Sequence, residues 1–194
     1  MADNLYHHGD LKNSLIENGI ELINQEGAKQ FSLRKVAALC GVSQAAPYSH
    51  FRNKEDLLKA MRDYVIEQFM NILMKTIQSC PNQNDPVILV QMGKSYVMFF
   101  IQHPQYFTFL FSQSGVAINL SMKNDVTNNF PPFELFKTIA WPVLGESGFP
   151  EAKRKDAIIS MWATVHGLAA IATMKNVYYD EDWELKIEDI IWRK

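Results

Sequence analysis

The chain has 194 residues, 47% of them hydrophobic and 21% charged, with a formal net charge of -2 and a pI near 6.2. Those totals describe an ordinary soluble globular protein of one large or two small domains with enough apolar residues for a real core. Bulk charge gives no argument for nucleic acid: the first 54 residues hold six Lys and Arg against five Asp and Glu, so any such binding must be argued from placement. Cys40 and Cys80 are the only cysteines and Cys40 falls on an apolar helix face, so no disulfide framework is expected and a reducing cytoplasm fits.

The amino terminus, MADNLYHHGDLK, lacks the apolar run of a signal peptide, and His7-His8 has no nearby third ligand, so no metal site is expected. Residues 10–26 read as a first helix with Leu11, Leu15, Ile16, Ile20 and Ile23 as its apolar stripe and Gly27 ending it. Gly19 weakens this helix locally but lets another backbone come close, and Phe31 and Phe51 are expected to bolt a three-helix core. Next, Ser32 is placed to cap a second helix carrying Val36, Ala37, Leu39 and Cys40, and Gly41 ends it. A short polar helix capped by Ser43 is expected to follow, with Gln44, Ala45, Ala46, Tyr48 and Ser49 on its first turns. Helix, glycine turn and short polar helix is the helix-turn-helix layout, whose second helix enters the major groove.

From Lys54 a long helix runs to about Gln78, with Leu57, Met61, Val65, Phe69, Ile72, Leu73 and Ile77 as its stripe. Residues 80–86 are dense in turn formers, and Asp85-Pro86 restarts a helix as N-cap and first-turn proline. Helices are expected over 87–103 and 104–111, then a loop over 112–129 with one helical turn. A helix over 132–144 follows, bent or ended near Trp141-Pro142, and then a turn over 145–150. The stretch 151–174 is long enough to span a membrane, but Ser160, Thr164, His166 and Thr173 interrupt it and Lys153-Arg154-Lys155 precede its apolar part, so it reads as a buried helix and no membrane partner is expected. Since it is apolar almost all round, it needs neighbours from another subunit. Trp183, Ile187, Ile190 and Ile191 mark a last helix. No strand-period stretch or internal repeat is present, and the fold class is all-α, with domains at 1–54 and 55–194.

The run SLRKVAALCGVSQAAPYSHFRNKEDLL resembles the amino-terminal DNA-binding domain of the TetR family of transcriptional repressors, through the small residue and glycine before Val42-Ser43, then Tyr48, His50-Phe51, and Lys54 with Glu55 and Leu57-Leu58. With the preceding helix the resemblance covers residues 9 to 60. Farther on, Trp162-Ala163-Thr164-Val165-His166-Gly167-Leu168 looks like the WHG signature of one subgroup of TetR-type regulatory domains, in which the last two long helices form the dimer interface.

The resemblance implies that Gln44 and Arg34 touch bases, since an amide pairs with adenine and a guanidinium with guanine. Tyr48, His50 and Lys54 match phosphate-contacting positions. Ser43 can add a hydroxyl or amide contact, and Ala45 and Ala46 are small enough to let the helix sit deep. For Arg34 a solvated helix face stays open as the other reading, for Tyr48 a core aromatic, and for His50 a cap on the motif's core. Pro47 departs from the commoner pattern of an aliphatic residue before the tyrosine; it removes an amide and biases Ala46 away from helical geometry, so a late or distorted start of the helix is also open.

The rest of the chain carries no catalytic constellation, so neither an enzyme nor a cofactor is expected. Its surplus of bulk suits an apolar pocket: Met70, Met74, Tyr96, Phe99, Phe100, Phe107, Phe111, Trp162 and His166 are the candidate lining, each also readable as plain core. Ile158, Trp162, Val165, Ala169, Trp183, Ile187 and Ile191 are the candidate dimer interface. The expectation is a homodimeric repressor of double-stranded DNA with an inverted-repeat operator, released by a small-molecule inducer, with the helix from Lys54 transmitting the shift. A helical carrier or enzyme with a structural helix-turn-helix, and a DNA-binding regulator with no inducer, are the alternatives.

Overall fold

The computed structural model describes residues 11–122 and 129–191. The described residues form eight α-helices and no strand: α1 Leu11–Glu26, α2 Leu33–Leu39, α3 Lys54–Ser79, α4 Val87–Gln102, α5 Pro104–Thr108, α6 Pro131–Glu146, α7 Glu151–Thr173 and α8 Trp183–Ile191. A 3₁₀ turn at Ala46–Ser49 and a π turn at Phe109–Gln113 complete them. The chain divides into two compact units, one of the residues up to Val65 with Thr108–Gly115, the other of Ile66–Phe107 with Val116 onward. The division falls within α3 rather than at residue 54, and a segment distant in sequence joins the first unit.

In the first unit the stripe of α1 is buried as its period requires, and Phe31 and Phe51 are 2% and 4% exposed. A Cβ added to Gly19 would stand 3.0 Å from Met61 Sδ and 3.5 Å from the Phe31 ring, so the missing side chain is what lets α3 come this near. Ser32 caps α2 by accepting from the Lys35 amide at 3.3 Å. Gly41, at φ +66, then turns the chain, a conformation only glycine enters readily. Leu39 differs from expectation: it is 54% exposed, because a helix of barely two turns buries only Leu33, Val36 and Ala37. Phe109 and Leu110 of the π turn are fully buried in this unit, and the Arg62 guanidinium donates to the Ser114 carbonyl at 3.2 Å. The single helix expected over 104–111 is therefore two pieces: α5 belongs to the second unit except for Thr108, and the π turn to the first.

In the second unit α4 packs on α7 and α8, and α6 packs on α7. The stripe of α3 continues through Phe69, Leu73 and Ile77, while Ile72 is 38% exposed at the edge of the stripe. Phe69 stacks on Phe99 at 4.9 Å and touches Tyr96 and Phe100 edge-on or tilted, at 5.1 and 5.2 Å. The N-cap position of α4 is Pro86 and not Asp85 as expected, but the Asp85 carboxylate just ahead of it accepts from the Val87 amide at 2.9 Å. Gly93 brings α4 against two helices at once, with Ile191 Cδ1 and Val165 Cγ1 each 3.1 Å from where a Cβ would stand. Lys94 closes the same contact through an ion pair with Glu188 at 2.7 Å. α6 does not end at Pro142 but carries it inside and continues to Glu146.

Within one chain α7 is buried at Ile158, Trp162, Val165 and Ala169, one face at helical spacing, and the rest of its apolar run, expected to meet another subunit, is half-buried or exposed. By length and composition alone it is the one described helix long and apolar enough to cross a membrane.

Candidate functional site

The polar segment after Gly41 is built around one buried residue. Pro47 is buried while Ser43, Gln44, Ala45, Tyr48, Ser49 and His50 are exposed and Ala46 half-buried. The chain does not form the helix capped by Ser43. With no proline amide and Ala46 biased from helical geometry, it makes a single 3₁₀ turn whose N-cap position is Ala45, with no side-chain cap. The Ser43 carbonyl accepts from the Ala46 amide at 3.0 Å, and the Pro47 carbonyl accepts from the amides of His50 and Phe51 at 3.0 and 2.9 Å. Thus Pro47 and Phe51 anchor the turn from below, and Gln44, Tyr48 (54% exposed) and His50 stand on its open side.

The cations around the turn differ in availability. Arg34 is exposed and forms no ion pair among the described residues. Lys35 is held by Glu26 at 2.6 Å and Arg52 by Asp56 at 2.7 Å. Lys54, expected at a phosphate, is half-buried: its ammonium donates to the Ala28 carbonyl at 2.8 Å and lies 5.6 Å from the Phe31 ring centroid. It ties the start of α3 to the loop after α1 as well as standing beside the turn.

The second unit contains a cavity of about 630 Å³ between α4, α6, α7 and α8. Of the expected lining, Tyr96 and Trp162 reach it. Phe99 and Phe100 are committed to the cluster around Phe69, Met74 is 40% exposed on α3, Met70 is half-buried there, and Phe111 belongs to the first unit. Phe107 leans on His166, ring centroids 5.1 Å apart, and His166 lies behind the cavity wall rather than in it. Its Nδ1 is 2.8 Å from the Tyr96 hydroxyl; burial holds the imidazole below its ordinary value and the phenol well above its own, so the neutral ring accepts and Tyr96 donates. Leu89, Val90, Met92, Phe136 and Met161 also line the cavity and are not among the expected residues; for Leu89 and Met92 the signal is the helical face they share with Gly93 and Tyr96.

The residues expected between subunits are mostly inside the chain's own core. Ile158, Trp162, Val165, Ala169 and Ile187 are between 0% and 8% exposed within one chain, which leaves little surface for a partner. Ile191 lies against Gly93 and lines the cavity, and half-buried Trp183 lies tilted against Tyr179 with centroids 4.3 Å apart. What α7 and α8 leave open is another set: Ala163, Thr164, Ile171 and Leu185. Among the described residues no group of three or more His, Cys, Asp or Glu side chains is placed to hold a metal ion.

The family described as bacterial regulatory proteins, tetR family, matches residues 15–61, and the tetracyclin repressor-like C-terminal domain matches residues 89–188. The chain belongs to the TetR family. This TetR-family chain is 29% identical over 114 residues to the uncharacterized HTH-type transcriptional regulator YerO of Bacillus subtilis (strain 168), an alignment covering 58% of the chain and 39% of YerO. Its fold is that of a TetR-family transcriptional regulator (HI0893) of Haemophilus influenzae RD, at TM-score 0.64 and 21% identity over 94% of this chain and 95% of that one. The fold is shared too with the fatty acid degradation regulator FadR of Bacillus halodurans, at TM-score 0.68 and 14% identity over 95% and 94% of the two chains. In the TetR-family chain the first match spans the exposed turn and the second spans α4 to α8, the helices around the cavity.

Proposed function

We propose that this protein is a sequence-specific DNA-binding transcriptional regulator, a cytoplasmic homodimeric repressor released from an inverted-repeat operator by a small apolar ligand. The observation that carries the reading is the exposed turn of Ser43 to His50, polar on its outside and anchored by buried Pro47 and Phe51. Groups that project from a rigid support into water, with an amide among them, suit base edges in the major groove. Gln44 and Arg34 are the base readers in this scheme. Tyr48 and His50 contact phosphates, with Ser43 adding a hydroxyl and Ala45 and Ala46 allowing close approach. Lys54 acts mainly by holding the turn's support in place.

Release follows from linkage. A ligand that fits the cavity only in a state with the reading turns wrongly spaced lowers DNA affinity by its differential affinity for that state. α3, which contributes residues to both units, is the element through which the two equilibria are coupled.

Selection of bound duplexes from a random library tests the whole reading. Enrichment of a palindrome is the expected outcome, because a two-fold protein demands a two-fold site. A bound pool with no shared sequence refutes it.

A further inference from the structure

We propose that the cavity of the second unit takes an uncharged, predominantly apolar molecule and rejects both carboxylates and ammonium ions. The proposal rests on the ligand-release reading above and adds to its apolar ligand the charge that reading leaves open. Its walls are apolar, from Met92, Phe136, Val143, Met161, Trp162 and Val165, and among the described residues no charged side chain lines it. The polar atoms it offers are hydroxyls, those of Tyr96, Ser147, Ser160 and Thr164.

Three cations of the surrounding helices are engaged elsewhere, while Lys153 and Lys155 are exposed at the start of α7, and none of the five lines the cavity. Lys94 is paired with Glu188 at 2.7 Å, and Lys137, 6% exposed, with Glu134 at 2.8 Å. The Arg154 guanidinium donates to the Phe149 carbonyl at 3.0 Å and lies 5.7 Å from the Trp141 ring centroid. Ser147, Ser160 and Thr164 are exposed at the mouth, so the exclusion acts in the inner part walled by Val143, Trp162 and Val165: an ion taken there with no counter-ion loses its hydration and recovers little of it, whereas a neutral chain gains from burial in proportion to its apolar area. The hydroxyls sharpen the match. Thr164 Oγ1 donates to the Ser160 carbonyl at 2.9 Å and Ser147 Oγ to the Val143 carbonyl at 2.8 Å, so both present lone pairs to the cavity and suit a molecule bearing a hydroxyl.

The test compares three probes with one alkyl chain, 1-decanol, decanoate and decylammonium, on the full chain by thermal shift and by release from the duplex that selection enriches. Decanol is expected to raise the melting temperature with an apparent Kd about tenfold below that of either ion. Ser147→Lys, at an exposed position on the cavity rim, supplies the missing counter-ion and is expected to bring decanoate to within about threefold of decanol. Equal potency of the three probes on the unmodified chain, no response to decanol, or a Ser147→Lys variant still blind to decanoate each overturns the class. Decanol that binds and leaves the duplex bound supports the class and overturns the ligand-release reading instead.

Discussion

At Lys54 the decisive fact is where one ammonium goes. Its bond to the Ala28 carbonyl and its place beside the Phe31 ring are charge-assisted contacts of a half-buried group. Lys54→Ala is therefore expected to lower stability by roughly 1–2 kcal/mol, measured by urea denaturation, before any effect on DNA is counted. Gln44 is the contrasting case. It is exposed, so Gln44→Ala should leave the denaturation midpoint within about 0.5 kcal/mol. In the proposed role the same substitution relaxes one operator position by about 1–3 kcal/mol, and equal losses on operator and random duplexes would remove Gln44 from that role. His166 carries a pH dependence whose sign is set by burial, which lowers its folded-state pKa beneath the unfolded value near 6.5. Between those two values the unfolded chain binds more protons, so stability rises with pH across that window and is lost as pH falls from about 7. Denaturation at pH 7.5 and pH 5 should show a smaller loss on acidification for His166→Gln than for the unmodified chain; equal losses would show that other groups set the slope.

Among the elements, the proline of α6 and the 3₁₀ turn show how far local rules reach. Pro142 is exposed inside a helix that continues for another turn, so the helix lacks one amide bond there and gains no burial in return. Pro142→Ala is expected to raise stability by about 1–3 kcal/mol, read as a higher melting temperature. A lower one would mean that the bend at Pro142 is needed for the fit of α6 on α7. The turn at Ala46–Ser49 is the opposite case, since Pro47 is buried and its carbonyl closes the turn. There the ring's restriction of the unfolded chain and its burial both favour the folded state.

For the whole molecule, the proposed homodimer requires an apolar surface that one chain leaves uncovered. The faces of α7 and α8 that the chain keeps inside itself are those of Ile158, Trp162, Val165, Ala169 and Ile187; those it leaves out carry Ala163, Ile171 (44% exposed) and Leu185 (73% exposed). An apolar side chain as exposed as Leu185 gains most from a partner. In the proposed dimer, Ala163→Arg with Leu185→Glu should give a monomer by sedimentation velocity, with each chain still folded by circular dichroism. A variant that stays dimeric would place the interface elsewhere.

Helical periodicity, caps and breakers reside in short stretches of chain, which is why most of the helices, the Ser32 cap, the Gly27 and Gly41 stops and the buried stripe of α1 were legible from the residues alone. The family likeness of the turn segment was legible for the same reason, as it rests on adjacent positions. Tertiary structure alone decided which way each apolar residue of α7 faces, because that helix is apolar on several sides and only its neighbours α4 and α6 choose among them. It alone set Phe99 and Phe100 in a packed cluster and Leu89 and Met161 around a cavity, since a void is a relation among helices far apart in sequence. And it sent the Lys54 ammonium to a carbonyl twenty-six residues away, a contact that no local pattern encodes.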